Sequence, residues 1–342
     1  MAAVGNAPTR GSIVDLRYRW PTKYRSSWVA LAAVVSIALV AQPGTFSRFS
    51  LELITALAGC LLVASLGQNL VVMVGAIDLS VPALMTLSAA LNVHLVGQAS
   101  DPTAFAVSIG AGLLIGAFNG ALVGFLRLNS LIVTFATNAI VAASLTAWLG
   151  LQYSSSGRSA DWLRSVGHDS VLHISTLFLL ALLLAVVMSL FLSSSRAGKR
   201  VAAVGANRGA ARALGARVGL ITMASFAVAG ALYALAGLFV AGLVDSPNPS
   251  LGASYQLTTI TVVAIAGTAF AGGASSVASL VAAALMLQVL AQVMALQNFS
   301  PGTLNIVQGV LLVAAVSLNT WARMGRDGFR RLKQTFGTVR TG

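Results

Sequence analysis

Apolar residues run along this chain in ten long stretches, parted by short polar or glycine-rich punctuation. They lie at roughly 24–42, 51–75, 80–98, 104–126, 129–150, 171–193, 218–243, 256–271, 274–296 and 303–320. Each is close to the about 20 residues that a helix needs to cross a hydrocarbon core of about 30 Å. The runs do not alternate apolar with polar positions, as the strands of a membrane barrel would. The pattern therefore predicts an all-α integral membrane protein with about ten transmembrane helices. Regions 51–98 and 256–296 are interrupted by glycine and polar residues. The division that follows is a basic N-terminal tail 1–23, a transmembrane domain 24–320 containing an internal loop 194–217, and a basic C-terminal tail 321–342. Both tails are expected to be loosely structured.

Composition agrees. Charged residues make up 8% of the 342, hydrophobic residues 57%, and mean hydropathy is +0.87. A soluble domain carries about 25% charge. Cys60 is the only cysteine, which excludes a disulfide scaffold. The net charge of +13 changes the picture once the basic residues are located. Only Arg48, Arg158 and Arg164 of the 21 lysines and arginines fall in alternate loops; the others sit in the two tails, at Arg127 and in loop 194–217. Short basic loops stay on the cytoplasmic side. Both termini are thus predicted to be cytoplasmic, and the charge is not a nucleic-acid footprint. Residues 1–42 lack a small-x-small cleavage site after the apolar run, so this region is expected to remain as the first span.

Four features could carry function. The first is a break at Gly75-Ala-Ile-Asp-Leu-Ser-Val-Pro82. A charge inside the bilayer is costly, so Asp78 must lie at a helix end, in a cavity or against a partner. Asp78 or Ser80 could cap the following helix, with Pro82 in its first turn. A compatible reading is a discontinuous helix whose free backbone groups line a pathway. The second is a glycine ridge, Gly112, Gly116, Gly120 and Gly124, at a spacing that lets another helix approach closely, within the chain or from a second copy. Asn119 is beside it, and Asn129-Ser-Leu-Ile-Val-Thr134 opens the next helix with capping residues.

The third feature is loop 194–217, in which Asn207 is placed to cap a short helix that Gly215 ends. Its small alanine face suits docking into another protein's groove, or the loop lies on lipid headgroups. The fourth is a scatter of neutral amides within spans: Gln68, Asn69, Asn138, Gln256, Gln288, Gln292, Asn305 and Gln308. These are expected to hydrogen-bond between helices, with a subset facing a polar solute. Walker-type, His-Glu-x-x-His and Gly-x-Ser-x-Gly motifs are absent. His168, Asp169 and His173 have a spacing too weak for a metal site. A possible two-fold internal repeat is suggested by the echo of 75–98 in 267–290 and of Asn129 onward in Ser300 onward.

These residues carry a family resemblance over roughly 28–320. The chain resembles the permease subunits of bacterial ATP-binding-cassette (ABC) importers of the ribose, xylose and galactose type. The elements that carry it are Gly75–Pro82, Gly116-Ala-Phe-Asn-Gly120, Asn129–Phe135, the loop Gly198–Gly215 and Gly272-Gly-Ala-Ser-Ser276. Two departures stand out. Ala76 and Pro82 replace family glycines, and Tyr255-Gln256-Leu257 replaces a Tyr-Glu-Leu, which removes a carboxylate. They bear on which sugar is carried and suit one member of a two-permease heterodimer.

The resemblance implies a multi-pass subunit of the bacterial inner membrane that binds no cofactor and catalyses nothing. ATP and magnesium are used by a separate cytoplasmic ATPase, often of two fused cassettes. A periplasmic or lipid-anchored binding protein would deliver the sugar, and a second permease would complete the pathway. On this reading Gly205, Asn207, Ala210, Ala211 and Gly215 form the ATPase-coupling loop. Asn69, Asp78, Ser80, Asn119, Asn138, Gln256 and Asn305 are candidates for the pathway and its broken helix. Cargo of another kind (furanose, polyol, signalling sugar or nucleoside) and a stand-alone secondary transporter or channel are the alternatives.

Overall fold

The computed structural model describes residues 22–149, 158–244 and 250–337. Helices account for nearly all of it. In chain order they are α1 (Thr22–Ala41), a 3-10 turn (Pro43–Phe46), α2 (Arg48–Met73), α3 (Val81–Leu95), α4 (Asp101–Gly124) and α5 (Ser130–Leu149). There follow α6 (Asp161–His168), a hairpin of β1 (Ser170–Val171) and β2 (Ile174–Ser175), α7 (Thr176–Ser194), α8 (Arg196–Ala206) and α9 (Arg208–Ala213). The last four are α10 (Val218–Leu243), α11 (Tyr255–Ile265), α12 (Val277–Leu296) and α13 (Pro301–Gly337).

Seven described helices are long and apolar enough to cross a membrane: α2, α4, α5, α7, α10, α12 and the Pro301–Leu318 part of α13. The apolar parts of α1, α3 and α11 are shorter. At 1.5 Å per residue the 15 residues of α3 and the 11 of α11 reach only about 22 Å and 17 Å. Neither covers the hydrocarbon core alone. The missing length lies in the non-helical segments 74–80 and 266–276, so the stretch expected to be helical over 256–271 ends at Ile265.

Two further expectations are corrected. The stretch predicted from 171 becomes helical only at Thr176, because Leu172 and His173, at φ +51° and +65°, form the turn of the hairpin. The C-terminal tail, expected to be loose from 321, continues α13 without interruption to Gly337; no proline follows Pro301 to stop it.

The centre of the bundle is α10, packed on α4, α2 and α3. Its Tyr233 and Phe226 are fully buried in the same apolar core as Leu61, Leu62 and Leu66 of α2. The glycine ridge explains the closeness of α4 to α10. A Cβ on Gly112 would strike the carbonyl of Gly230, on Gly116 that of Phe226, on Gly120 the Met223 backbone and on Gly124 the carbonyl of Gly219. The ridge is therefore spent on a contact within one chain. Amides bond across helices as their burial requires: Tyr233 donates to Gln68 Oε1 at 3.0 Å, Gln292 to Ser50 Oγ at 3.1 Å and Thr258 to Gln308 Oε1 at 3.0 Å. Large apolar side chains of α5, α7 and α13, among them Ile132, Leu183 and Ile306, point outward, as a lipid-facing surface demands.

The two ends of the bundle differ in charge. At one, Arg127, Arg212 and Arg217 surround a single cavity. At the other, Glu52 at the start of α2 meets the hairpin, accepting from Ser170 Oγ at 3.1 Å and lying 3.5 Å from His173 Nδ1. His173 is thereby engaged with Glu52.

Candidate functional site

The first helix break begins with a Schellman cap. Gly75, at φ +74°, sits in the left-handed region that favours glycine. Its N–H donates to Val72 O at 2.9 Å and that of Ala76 to Val71 O at 3.2 Å. The chain then runs extended, which frees amides that nothing in lipid could satisfy. One face of α5 takes them. Ile77 N–H donates to Ser130 Oγ (3.2 Å), Leu79 N–H to Thr134 Oγ1 (2.8 Å) and Ala83 N–H to Asn138 Oδ1 (3.1 Å). The spacings match for a simple reason. Two extended residues advance about 6.6 Å and four helical residues about 6 Å. Positions 77 and 79 therefore stay level with 130 and 134.

Asp78 is fully buried. Its Oδ1 accepts from Ser80 N–H at 2.8 Å and from Ser80 Oγ. Ser80 in turn accepts from Asn119 Nδ2 at 3.2 Å, and Asn119 Oδ1 accepts from Thr137 at 2.6 Å. The helix is broken here, and the capping is of a modified form. Ser80 occupies the N-cap position of α3 without a side-chain cap bond; the amide of Ala83 is capped from α5 by Asn138.

The second break opens the same way. Gly267, at φ +82°, donates to Ala264 O at 3.0 Å, and Thr268 N–H to Val263 O at 3.3 Å. Here Asn69 of α2 is the brace. Its Oδ1 accepts from Thr268 Oγ1 at 2.9 Å and its Nδ2 donates to Ser275 Oγ at 2.9 Å. The two breaks touch, since Gly273 N–H donates to Met73 O at 2.9 Å.

Gln256 and Asn305 stand apart from these braces. They line an open cavity of about 630 Å³ with Leu79, Ser250, Ser254 and Ile260. Among the described residues no charged side chain lines it. Leu79, from the first break, forms one wall. The seven residues grouped as pathway candidates thus divide: Asp78, Ser80, Asn119 and Asn138 hold one break, Asn69 holds the other, and only Gln256 and Asn305 face open space. Ser130 and Thr134 entered the sequence reading only within the helix-opening motif Asn129–Thr134, and Thr268, Ser275, Ser250 and Ser254 had no role there, although Ser130, Thr134 and Asn138 form an every-fourth-residue polar stripe that spacing alone could have flagged.

Loop 194–217 is two helices rather than one. The unexpected α8 is amphipathic and buries Gly198, Val201 and Val204, and Ser195 caps it through Gly198 N–H at 2.9 Å. Asn207 Oδ1 accepts from Ala210 N–H at 2.9 Å, and Gly215, at φ +80°, ends α9. Ala210 is exposed, whereas Ala211 is buried and Gly205 is turned towards the helix breaks. Leu214, 88% exposed, is the most prominent apolar side chain of the segment. No group of three His, Cys, Asp or Glu that could hold a metal occurs among the described residues.

Broken, internally braced helices beside a cavity with no charged lining among the described residues, in a bundle faced with apolar side chains, fit a transport subunit that spans the membrane several times. Residues 50–316 match the family described as branched-chain amino acid transport system / permease component, and the chain belongs to that family. It is 27% identical to the fructose import permease protein FrcC of Rhizobium meliloti over 86% of this chain and 84% of the relative. Against the ribose import permease protein RbsC of Haemophilus influenzae it is 27% identical over 85% and 91%. Against the galactofuranose transporter permease protein YtfT of Escherichia coli it is 28% identical over 88% and 90%. No solved structure matches. The chain is a multi-pass inner-membrane permease subunit of an ABC importer; in such systems ATP hydrolysis belongs to a separate subunit.

Proposed function

We propose that this subunit forms the pathway for a small, uncharged sugar. The observation that carries this reading is the cavity beside the first break, lined by Gln256, Asn305, Ser250 and Ser254 and, among the described residues, by no charged group. Amides and hydroxyls can exchange hydrogen bonds with the hydroxyls of a neutral solute, while an ionised one would enter without a counter-charge. Its size falls within the about 300–1,000 Å³ usual for small-molecule sites. The departure from the family's Tyr-Glu-Leu falls at Gln256, inside this cavity. The relatives carry fructose, ribose or galactofuranose by name, which supports a sugar without selecting one.

The cavity is open beside α13, whose membrane-spanning window is only 6% buried. A second permease subunit, identical or not, completes the wall there. In this reading all ten apolar helices lie in the membrane, α3 and α11 with help from the non-helical segments 74–80 and 266–276. The basic end, with both termini, faces the cytoplasm, and the exposed side of α8–α9 around Ala210 and Leu214 meets the ATPase. The hairpin end faces the binding protein. The shared Schellman openings at Gly75 and Gly267 support a two-fold internal repeat.

The test is reconstitution in proteoliposomes with a partner ATPase and binding protein from the same organism, followed by uptake of a panel of labelled neutral sugars. Uptake that needs both ATP and the binding protein is expected. Transport without any ATPase would replace the reading with a secondary transporter, and uptake restricted to ionised solutes would overturn the neutral cargo.

A further inference from the structure

We propose that Gly205 and Arg208 form a joint through which loop 194–217 sets the position of both helix breaks at once. Arg208 is then a positioning residue for transport and not part of the ATPase-binding surface. This rests on the reading of α8–α9 as the segment that meets the ATPase.

The geometry begins with the end of α2. Its Schellman cap uses the carbonyls of Val71 and Val72. Those of Met73 and Val74 come next, at the negative end of the helix dipole, and need donors from elsewhere. Met73 O accepts from Gly273 N–H at 2.9 Å, which ties in the second break. Val74 O accepts from Arg208 Nη2 at 2.9 Å, which ties in α9. A guanidinium suits a helix C-terminus because it answers both the free carbonyl and the dipole.

Gly205 supplies the close fit. A Cβ there would collide with Met73 O and with Gly273 N, and a Cβ on Gly272 would collide with the Gly205 backbone. Gly75 lies near as well, where a Cβ would come within 3.2 Å of Ala271 O. The end of α2, the second break and the α8–α9 turn therefore meet backbone to backbone. Side chains can change rotamer to absorb a displacement, but backbone in contact cannot. A shift of the α8–α9 turn is passed to Met73–Gly75 and Gly272–Gly273 together. The first of these begins the segment that carries Leu79 to the cavity wall.

Two measurements on the full chain test the joint. In the reconstituted complex, Arg208→Ala is expected to retain the ATPase on co-purification and to keep basal hydrolysis. Uptake, and the hydrolysis stimulated by loaded binding protein, should fall about tenfold, the size of coupling losses between linked sites. Arg208→Lys, which can still reach one carbonyl, should recover most of this loss. Loss of the ATPase from Arg208→Ala would place the residue in the docking surface and overturn the proposal, and so would unchanged uptake.

The second measurement needs no ATPase. Spin labels at Ala206→Cys and Ala271→Cys in the isolated permease should report a narrow distance distribution that broadens in Arg208→Ala. An unchanged distribution also overturns the joint. If that distribution broadens but the unmutated permease never captures an ATPase, the joint stands and the reading of the loop as ATPase-facing is what fails.

Discussion

Thr134 holds Leu79 by its backbone: the Thr134 hydroxyl accepts the Leu79 amide at 2.8 Å and donates to Ser130 O at the same distance. A buried amide without a partner costs about 1–3 kcal/mol in folded proteins. Thr134→Val keeps the shape and removes the acceptor. It should lower the thermal midpoint of the purified permease by an amount corresponding to about 1–3 kcal/mol, while Thr134→Ser should stay near the parent. Equal stability of all three would show that water or a relaxed backbone supplies the partner.

Asp78 is bound to Ser80 through a single oxygen. Oδ1 takes both the Ser80 amide and hydroxyl, while Oδ2 is buried without a protein partner. What the fold requires of this residue is an acceptor more than a charge. Asp78→Asn keeps Oδ1 and should remain within about 1 kcal/mol of the parent; Asp78→Ala strands the Ser80 amide and should lose about 1–3 kcal/mol. Thermal unfolding in detergent followed by tryptophan fluorescence reads both. A loss in Asp78→Asn as large as in Asp78→Ala would show that the negative charge itself is needed.

The bundle was legible because lipid imposes a length and forbids unpaired backbone, and both constraints mark the chain directly. Gly75-Ala-Ile-Asp-Leu-Ser, with a buried acid between apolar runs, announced its break in the same way. Other parts depend on which residues face each other, and one-dimensional pattern does not carry that. Asn69 and Asn119 have the same composition signal as Gln256, yet the first two are enclosed braces and the third lines open space. Gly205 was grouped with the coupling loop through the family resemblance; its inward turn follows from the register of α8, whose apolar positions Val201 and Val204 were not read as a helix. The hairpin at 170–175 was hidden by its apolar Val171, Leu172 and Ile174, which blend into the helix that follows.

The α4–α10 contact offers a test with an internal control. Gly116 faces the Phe226 carbonyl with no room for a methyl group, whereas a Cβ on Gly110, on the same helix, would meet nothing within 4 Å. Gly116→Ala should therefore destabilise by about 1–3 kcal/mol through overpacking. Gly110→Ala should be neutral or stabilising by up to about 1 kcal/mol, because alanine favours helix over glycine. Matching midpoints for the two variants would mean that α4 and α10 stand further apart than described here.

Gln256 and Asn305 lie on different helices, α11 and α13, and line the same cavity. Neither is fully buried, so truncation should leave folding and ATPase retention unchanged. If both bond to the passing sugar, Gln256→Ala and Asn305→Ala should each reduce uptake by about two- to tenfold, the value of one neutral hydrogen bond at about 0.5–1.5 kcal/mol. The double variant decides whether they act on the same solute. Residues that share a partner show interaction energies of about 0.5 kcal/mol or more, while independent sites add. A double variant that loses less than the product of the two single losses is expected. Losses that multiply would place the two amides at separate points along the pathway, and unchanged uptake in both single variants would remove this cavity from the route altogether.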